Sequence, residues 1–136
     1  MFQDTKPFSS FSVNDLDQAR KFYHDVLGLK IQPIVTDEGA KLVELCLGGG
    51  SKILVYCKPD HKPASFTILY FPVPNIEKAV EEMTRLGIKF EHYHTDEMQT
   101  DEKGIFRGGG PAKAWFKDPA GNVLSVTETD KIHPTN

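Results

Sequence analysis

Apolar side chains recur along this chain at two different periods, and the switch from one to the other predicts its elements. Phe8–Val13 and Ser65–Val73 are short β-prone runs. Each is followed by helical spacing: Ala19, Phe22, Tyr23 and Val26 fall at i, i+3, i+4 and i+7, and Ile76, Ala79, Val80 and Met83 repeat the pattern. A stripe of this kind needs a sheet to cover. Asn14 and Asn75 are read as the N-caps of the two helices, and Gly28 and Gly87 as the left-handed residues that end them. Strand-like runs follow at Leu29–Val35, Lys41–Leu47 and Lys52–Cys57, and again at Ile88–His94, Ala112–Lys117 and Asn122–Glu128.

The order of elements is therefore doubled. Val13-Asn14-Asp15-Leu16-Asp17-Gln18-Ala19 returns at an offset of 60 as Val73-Pro74-Asn75-Ile76-Glu77-Lys78-Ala79. One deletion then shifts the offset to 59, aligning Leu27-Gly28-Leu29 with Leu86-Gly87-Ile88. Each copy reads βαβββ, the first over about residues 7–58 and the second over about 65–128. Gly48-Gly49-Gly50 and Asp118-Pro119-Ala120-Gly121-Asn122 supply the tight turns before the last strand of each copy. Gly108-Gly109-Gly110 does not open a helix with phosphate-loop spacing and is read as a plain loop.

Composition narrows the function classes. The 136 residues, 39% hydrophobic with nine Phe, four Tyr and one Trp, suffice for the core of one domain. Sixteen basic against nineteen acidic residues, net −3, with no basic block, argue against a nucleic-acid partner. No apolar run is long enough to cross a bilayer and no leader is recognised, so a soluble, cytoplasmic protein is expected. Cys46 and Cys57 form no C-x-x-C pair and are expected to be buried, structural thiols.

A doubled βαβββ unit with Val-x-Asp-Leu-Asp opening the first helix, Phe22-Tyr23 within it, Leu27-Gly28-Leu29 closing it and Trp115–Asn122 near the end resembles the vicinal oxygen chelate superfamily. That superfamily includes glyoxalase I, extradiol dioxygenases and the bleomycin and fosfomycin resistance proteins. The stretches Phe90–Tyr93, Met98–Phe106 and Ala114–Asn122 look especially like a bacterial glyoxalase-like branch. The resemblance implies an α+β fold in one domain, residues 1–136, whose two modules form a cup-like, half-open barrel around a ligand cavity. It also implies a homodimer.

In metal-dependent members the ligands come from the first and last strands of each module. By that resemblance their places fall on Phe8, on Leu54 or Tyr56, on Ile68 and on Ser125. None is an imidazole or a carboxylate, so the usual divalent metal site is expected to be absent, with no cofactor in its place. A small organic molecule is then the expected partner, sequestered or transformed without a metal, and no membrane partner is expected.

Alternation along the strands sends Phe11, Val13, Leu69, Phe71 and Val73 to the helix-covered faces. Phe8, Ser10, Ser12, Leu54, Tyr56, Ile68, Tyr70, Ser125 and Thr127 are left for the cup, with Trp115 between Lys113 and Lys117 also facing inward. The expected ligand-binding residues are Phe8, Ser10, Tyr56, Ile68, Tyr70, Trp115 and Ser125. Tyr56, Tyr70 and Glu44 are the acid–base groups available for metal-free chemistry. The competing reading is a metal-dependent lyase or dioxygenase with atypical ligands His92, His94 and Glu97. His24, His61 and His133 are read as isolated surface residues. The long connection 95–111 has the composition of a lid, and Arg107 within it is expected to pair with nearby acids or to meet an anionic ligand at the mouth.

Overall fold

Two strands that run parallel, although they lie at opposite ends of a repeat unit, organise each half of the protein. The structure, a computed structural model, describes residues 1–129 and divides into two units, Met1–Pro63 and the part from Ala64 onward. The first holds β1 (Ser9–Val13), α1 (Leu16–Arg20) continuing as a wider turn over Lys21–Val26, β2 (Lys30–Val35), β3 (Lys41–Cys46) and β4 (Lys52–Cys57). The second holds β5 (Thr67–Val73), α2 (Ile76–Arg85), β6 (Ile105–Phe106), β7 (Lys113–Lys117) and β8 (Val123–Glu128). The sheet orders are β1-β4-β3-β2 and β5-β8-β7-β6, with β1 parallel to β4 and β5 parallel to β8. Neither sheet closes on itself, and the expected α+β class with two βαβββ units is what the chain forms. Among the described residues no helix is long and apolar enough to cross a membrane.

One face of each sheet is covered by its helix. In the first unit Val13, Val43, Leu45, Ile53 and Val55 are buried with Ala19 and Tyr23 of the helix, and the Phe11 and Tyr23 rings meet at 5.7 Å. In the second, Leu124, Val126, Ala114 and Phe116 are buried with Ile76 and Val80. Full burial of a large apolar side chain contributes about 1.5–3 kcal/mol, so these alternating positions hold each sheet to its own helix.

The unequal length of the two repeats has a structural counterpart. Leu27 N–H donates to Phe22 O at 3.0 Å, five residues back, so the first helix ends in a π turn over Lys21–Val26. The second helix reaches its glycine one residue sooner and stays α-helical. The extra residue is absorbed inside the helix, as π turns commonly do. Both helices stop as expected, at Gly28 (φ 74°) and Gly87 (φ 92°), with Leu29 N–H reaching Tyr23 O and Ile88 N–H reaching Met83 O.

Three expectations are corrected. The first helix is capped by Asp15, whose carboxylate accepts from Gln18 N–H at 3.0 Å, and not by Asn14. Asp15 is the residue that aligns with Asn75, which caps α2 through Lys78 N–H at 3.0 Å. Ile88–His94 is not a strand: Phe90 makes a single bridge to Phe116, after which Tyr93 and Thr100 bond each other around a tight turn at Thr95–Met98. The edge position beside β7 goes instead to Ile105–Phe106, inside the segment read as a loop. Asp101 presents this edge by accepting from Lys103 and Ile105 N–H, both at 2.9 Å. Gly104 (φ 90°) is required between them, since a Cβ there would lie 2.9 Å from Phe90 Cβ. Cys57, third, is exposed, with its thiol directed at Asn14 O, while Cys46 is half-buried.

Candidate functional site

The face of each sheet turned away from its helix carries the candidate site residues, and strand register shows which of them adjoin. On the first sheet Ser10, Leu54, Glu44 and Gln32 form one transverse row. Ser12, Tyr56, Leu42 and Ile34 form the next. A concavity of about 790 Å³ lies against this face, walled by Phe8, Ile34, Leu42, Leu54 and the turn after β3, with Lys6, Glu44 and Lys52 as its charges. Its volume is within the range of small-molecule sites. Phe8 stands 72% exposed at its edge, an apolar ring in water just ahead of β1. Glu44 pairs with Lys52 at 3.3 Å, the carboxylate side chain 19% exposed and the lysine 55%. The charge of the floor is thus compensated from the rim.

Ser10 lies exposed on β1, and Tyr56 is half-buried opposite Ser12. The Ser12 hydroxyl and His61 Nδ1 lie 2.6 Å apart. His61, read from sequence as an isolated surface residue, is half-buried and joined to the strand that carries two of the candidate hydroxyls.

On the second sheet Tyr70, Ser125 and Trp115 form one row and Pro72, Thr127, Lys113 and Phe106 another. Ile68 is the extra residue of a β-bulge, so Thr67 rather than Ile68 pairs with Val123. Thr67 accepts from Trp115 Nε1 at 3.1 Å, which places it at the indole's N–H edge, on the same face of the sheet. Tyr93 and Phe106 surround the same indole, with ring centroids 5.7 and 5.9 Å away. Burial, with the nearby Glu91 carboxylate adding to it, holds the Tyr93 phenol above its ordinary pKa. Ser125 is fully buried and its hydroxyl donates to Val126 O at 3.1 Å. Tyr70, half-exposed, lines a smaller groove of about 440 Å³ with Pro72, Pro111, Lys113 and Thr127.

Of the seven expected ligand residues, register brings Tyr70, Ser125 and Trp115 into one row. Phe8 lines the larger concavity, Ser10 and Tyr56 stand in adjacent rows beside it, and Ile68 is set apart by the bulge. Sequence reading missed Lys52, Leu42, Ile34 and Thr67. The first three follow from counting alternation along β2 to β4, but a bulge leaves no mark in the alternation of Thr67–Val73.

The residues at the positions that the resemblance implies for a metal do not suit a divalent ion. Phe8, Leu54 and Ile68 offer no ligand atom, and Tyr56, the alternative to Leu54, and Ser125, whose hydroxyl donates to Val126 O, offer neutral hydroxyls in place of imidazole or carboxylate. His92, His94 and Glu97 are all exposed, with His94 bridged to Gln99. Among the described residues no three His, Cys, Asp or Glu side chains gather in a metal-holding group. His24 Nδ1 lies 3.0 Å from Leu29 O at the end of the first helix, and His133 lies outside the described residues. Arg107 pairs with Glu77 of α2 at 2.8 Å.

Residues 9–126 match the family model of the Glyoxalase/Bleomycin resistance protein/Dioxygenase superfamily. No curated protein matches the chain at the level of overall sequence. Among solved structures, a glyoxalase family protein from Enterococcus faecalis is 19% identical with a TM-score of 0.66, covering 94% of this chain and 100% of that one. An antibiotic binding protein from Streptomyces sp. CB03234 is 17% identical with a TM-score of 0.63, covering 93% and 98%. A fosfomycin resistance protein from Listeria monocytogenes is 10% identical with a TM-score of 0.63, covering 94% and 93%. At these identities the likeness speaks for the fold.

Proposed function

The chain belongs to the Glyoxalase/Bleomycin resistance protein/Dioxygenase superfamily, and from that premise we propose that it binds a small amphipathic organic molecule without the family's divalent metal. The observation that carries this reading is the concavity of about 790 Å³ on the first sheet, with an apolar wall of Phe8, Ile34, Leu42 and Leu54 and one compensated ion pair, Glu44–Lys52. An apolar wall with few polar groups binds by desolvation and orients by its charges. The protein acts as a cytoplasmic homodimer in this reading. The antibiotic-binding neighbour illustrates the same fold acting as a binder.

Calorimetric titration of chelator-treated protein with bleomycin, fosfomycin and a panel of aromatic amphiphiles tests the proposal. Saturable binding is expected, weakened about tenfold by Phe8→Ala, since the loss of a buried aromatic contact of ~1.4 kcal/mol is one decade. Stoichiometric Fe, Ni, Zn or Mn in untreated protein, lost on replacing His92 and His94, overturns it in favour of a metal-dependent lyase or dioxygenase.

The Ser12–His61 contact at 2.6 Å, on the row that also holds Tyr56, favours metal-free chemistry as a second reading. An imidazole, a hydroxyl and a phenol in one neighbourhood can move a proton on a bound carbonyl compound. Turnover lost in both Tyr56→Phe and His61→Ala, with binding retained, supports catalysis over sequestration.

A further inference from the structure

The second unit carries another cavity, on the helix-covered side of its sheet and so apart from the open faces. It measures about 610 Å³ and lies where the last turns of α2 meet the chain at Ile88–His92 and at Glu102–Lys103. Its apolar floor is Val80, Ile88 and Phe90, each at most 8% exposed and therefore fixed by the core beneath. The charges around it are unevenly paired. Lys103 and Glu81 bond each other at 2.9 Å across the lip. Arg85, Lys89 and His92 make no side-chain hydrogen bond or ion pair among the described residues, and against them stands the single unpaired carboxylate of Glu102. Arg85 does act on Glu81 at a distance, helping Lys103 to hold that carboxyl below its ordinary pKa.

We propose that this cavity is a second ligand site, taking an organic anion: an aromatic or short aliphatic body against Val80, Ile88 and Phe90, with one carboxylate, sulfonate or phosphate group held by Arg85 and Lys89. Three features favour an anion. Two full cations and an imidazole face one free acid, so the mouth keeps a positive excess. The cations stand beside an apolar floor, where a charge-assisted hydrogen bond is stronger than in open water. Lastly, Arg85 and Lys89 flank the stop at Gly87 and both line the cavity, where two full positive charges outweigh the partial negative charge of the α2 C-terminus. The volume admits a body of one or two rings. Because Lys103 and Glu81 pair with each other, Arg85 and Lys89 are left to donate to the anion.

The test uses anilinonaphthalene sulfonate, an apolar two-ring anion, titrated into the folded full chain labelled with ¹⁵N. Amide resonances of Thr84, Lys89 and His92 are expected to shift and saturate together. The double variant R85E/K89E, both positions exposed and unpaired, is expected to weaken that binding at least tenfold, as is Thr84→Trp, which fills the cavity from its rim. N-phenylnaphthylamine, the uncharged counterpart, is expected to bind at least tenfold more weakly. Unchanged affinity in R85E/K89E, equal affinity for the uncharged probe, or shifts confined to Phe8–Ser12 and Leu42–Leu54 would each overturn the proposal. That last pattern belongs to the first-sheet concavity alone, so the two sites are judged separately.

Discussion

The indole N–H of Trp115 donates to the hydroxyl of Thr67 at 3.1 Å, although β7 and β5, which carry them, are not neighbours. Both flank β8, so the indole crosses the open face of β8 to make the bond. Two strand spacings of about 4.8 Å each separate the two backbones, a span bridged by the indole, the 3.1 Å hydrogen bond and the Thr67 side chain together. Ser125, opposite Trp115 in register, lies beneath this crossing and is fully buried. A residue offered by the alternation as a ligand contact is thereby roofed by its neighbour.

Thr67→Val is expected to cost about 1 kcal/mol in urea unfolding, because it leaves the N–H of the buried Trp115 without its acceptor. Thr67→Ser keeps the acceptor and is expected to stay within about 0.5 kcal/mol of the parent. A loss in Thr67→Ser with none in Thr67→Val, which keeps the methyl, would show that the methyl group, not the hydrogen bond, matters.

Asp15→Ala and Asn75→Ala are each expected to destabilise by about 1 kcal/mol, the usual cost of removing an N-cap. Asn14→Ala, one residue before the cap and exposed, is expected to change stability by less than about 0.5 kcal/mol. A larger loss at Asn14 than at Asp15 would reverse the assignment of the cap.

The Lys103–Glu81 pair gives a pH signature with a definite sign. The Glu81 carboxyl is held below its ordinary value of 4.5, first by the hydrogen bond from Lys103, so its contribution is present above that value and lost as pH falls through the lowered pKa. Lys103 is raised above 10.5 by the same bond, so its contribution is present below that value and lost as pH rises through the raised pKa. The phenol of Tyr93, raised above 10.0 mainly by burial, adds to the alkaline loss, because the unfolded chain ionises first. Glu81→Gln should flatten the acid limb of stability measured against pH, and Tyr93→Phe should reduce the alkaline one. Both Glu81 and Lys103 are open to water, so the effect is small and shrinks with added salt.

Ser12 and His61 are expected to couple in a double-mutant cycle. If their 2.6 Å contact contributes to folding, Ser12→Ala, His61→Ala and the double variant should give an interaction energy of about 0.5–1.5 kcal/mol. Strict additivity would mean that His61 is held by its other neighbours.

The features legible before folding are those that a few adjacent residues decide. The doubled unit, the helical stripes at Phe22-Tyr23 and Ala79-Val80, and the glycine stops were all written in short-range spacing. The extra residue of the first copy was visible too, as the change of offset, though not the π turn that absorbs it. Family membership followed from motifs of the same local kind.

Pairing between distant segments decided the rest. Whether Ile88–His94 or Ile105–Phe106 takes the edge beside β7 depends on which segment bonds Ala114 and Lys113, and both have the alternation for it. The bulge that puts Thr67 in Ile68's expected place arises from the register against β8. The meeting of Ser12 with His61, 49 residues apart, belongs to the same class. Propensity and periodicity act along the chain, whereas register, edge occupancy and side-chain partners are set by competition among segments that come together only in the tertiary structure.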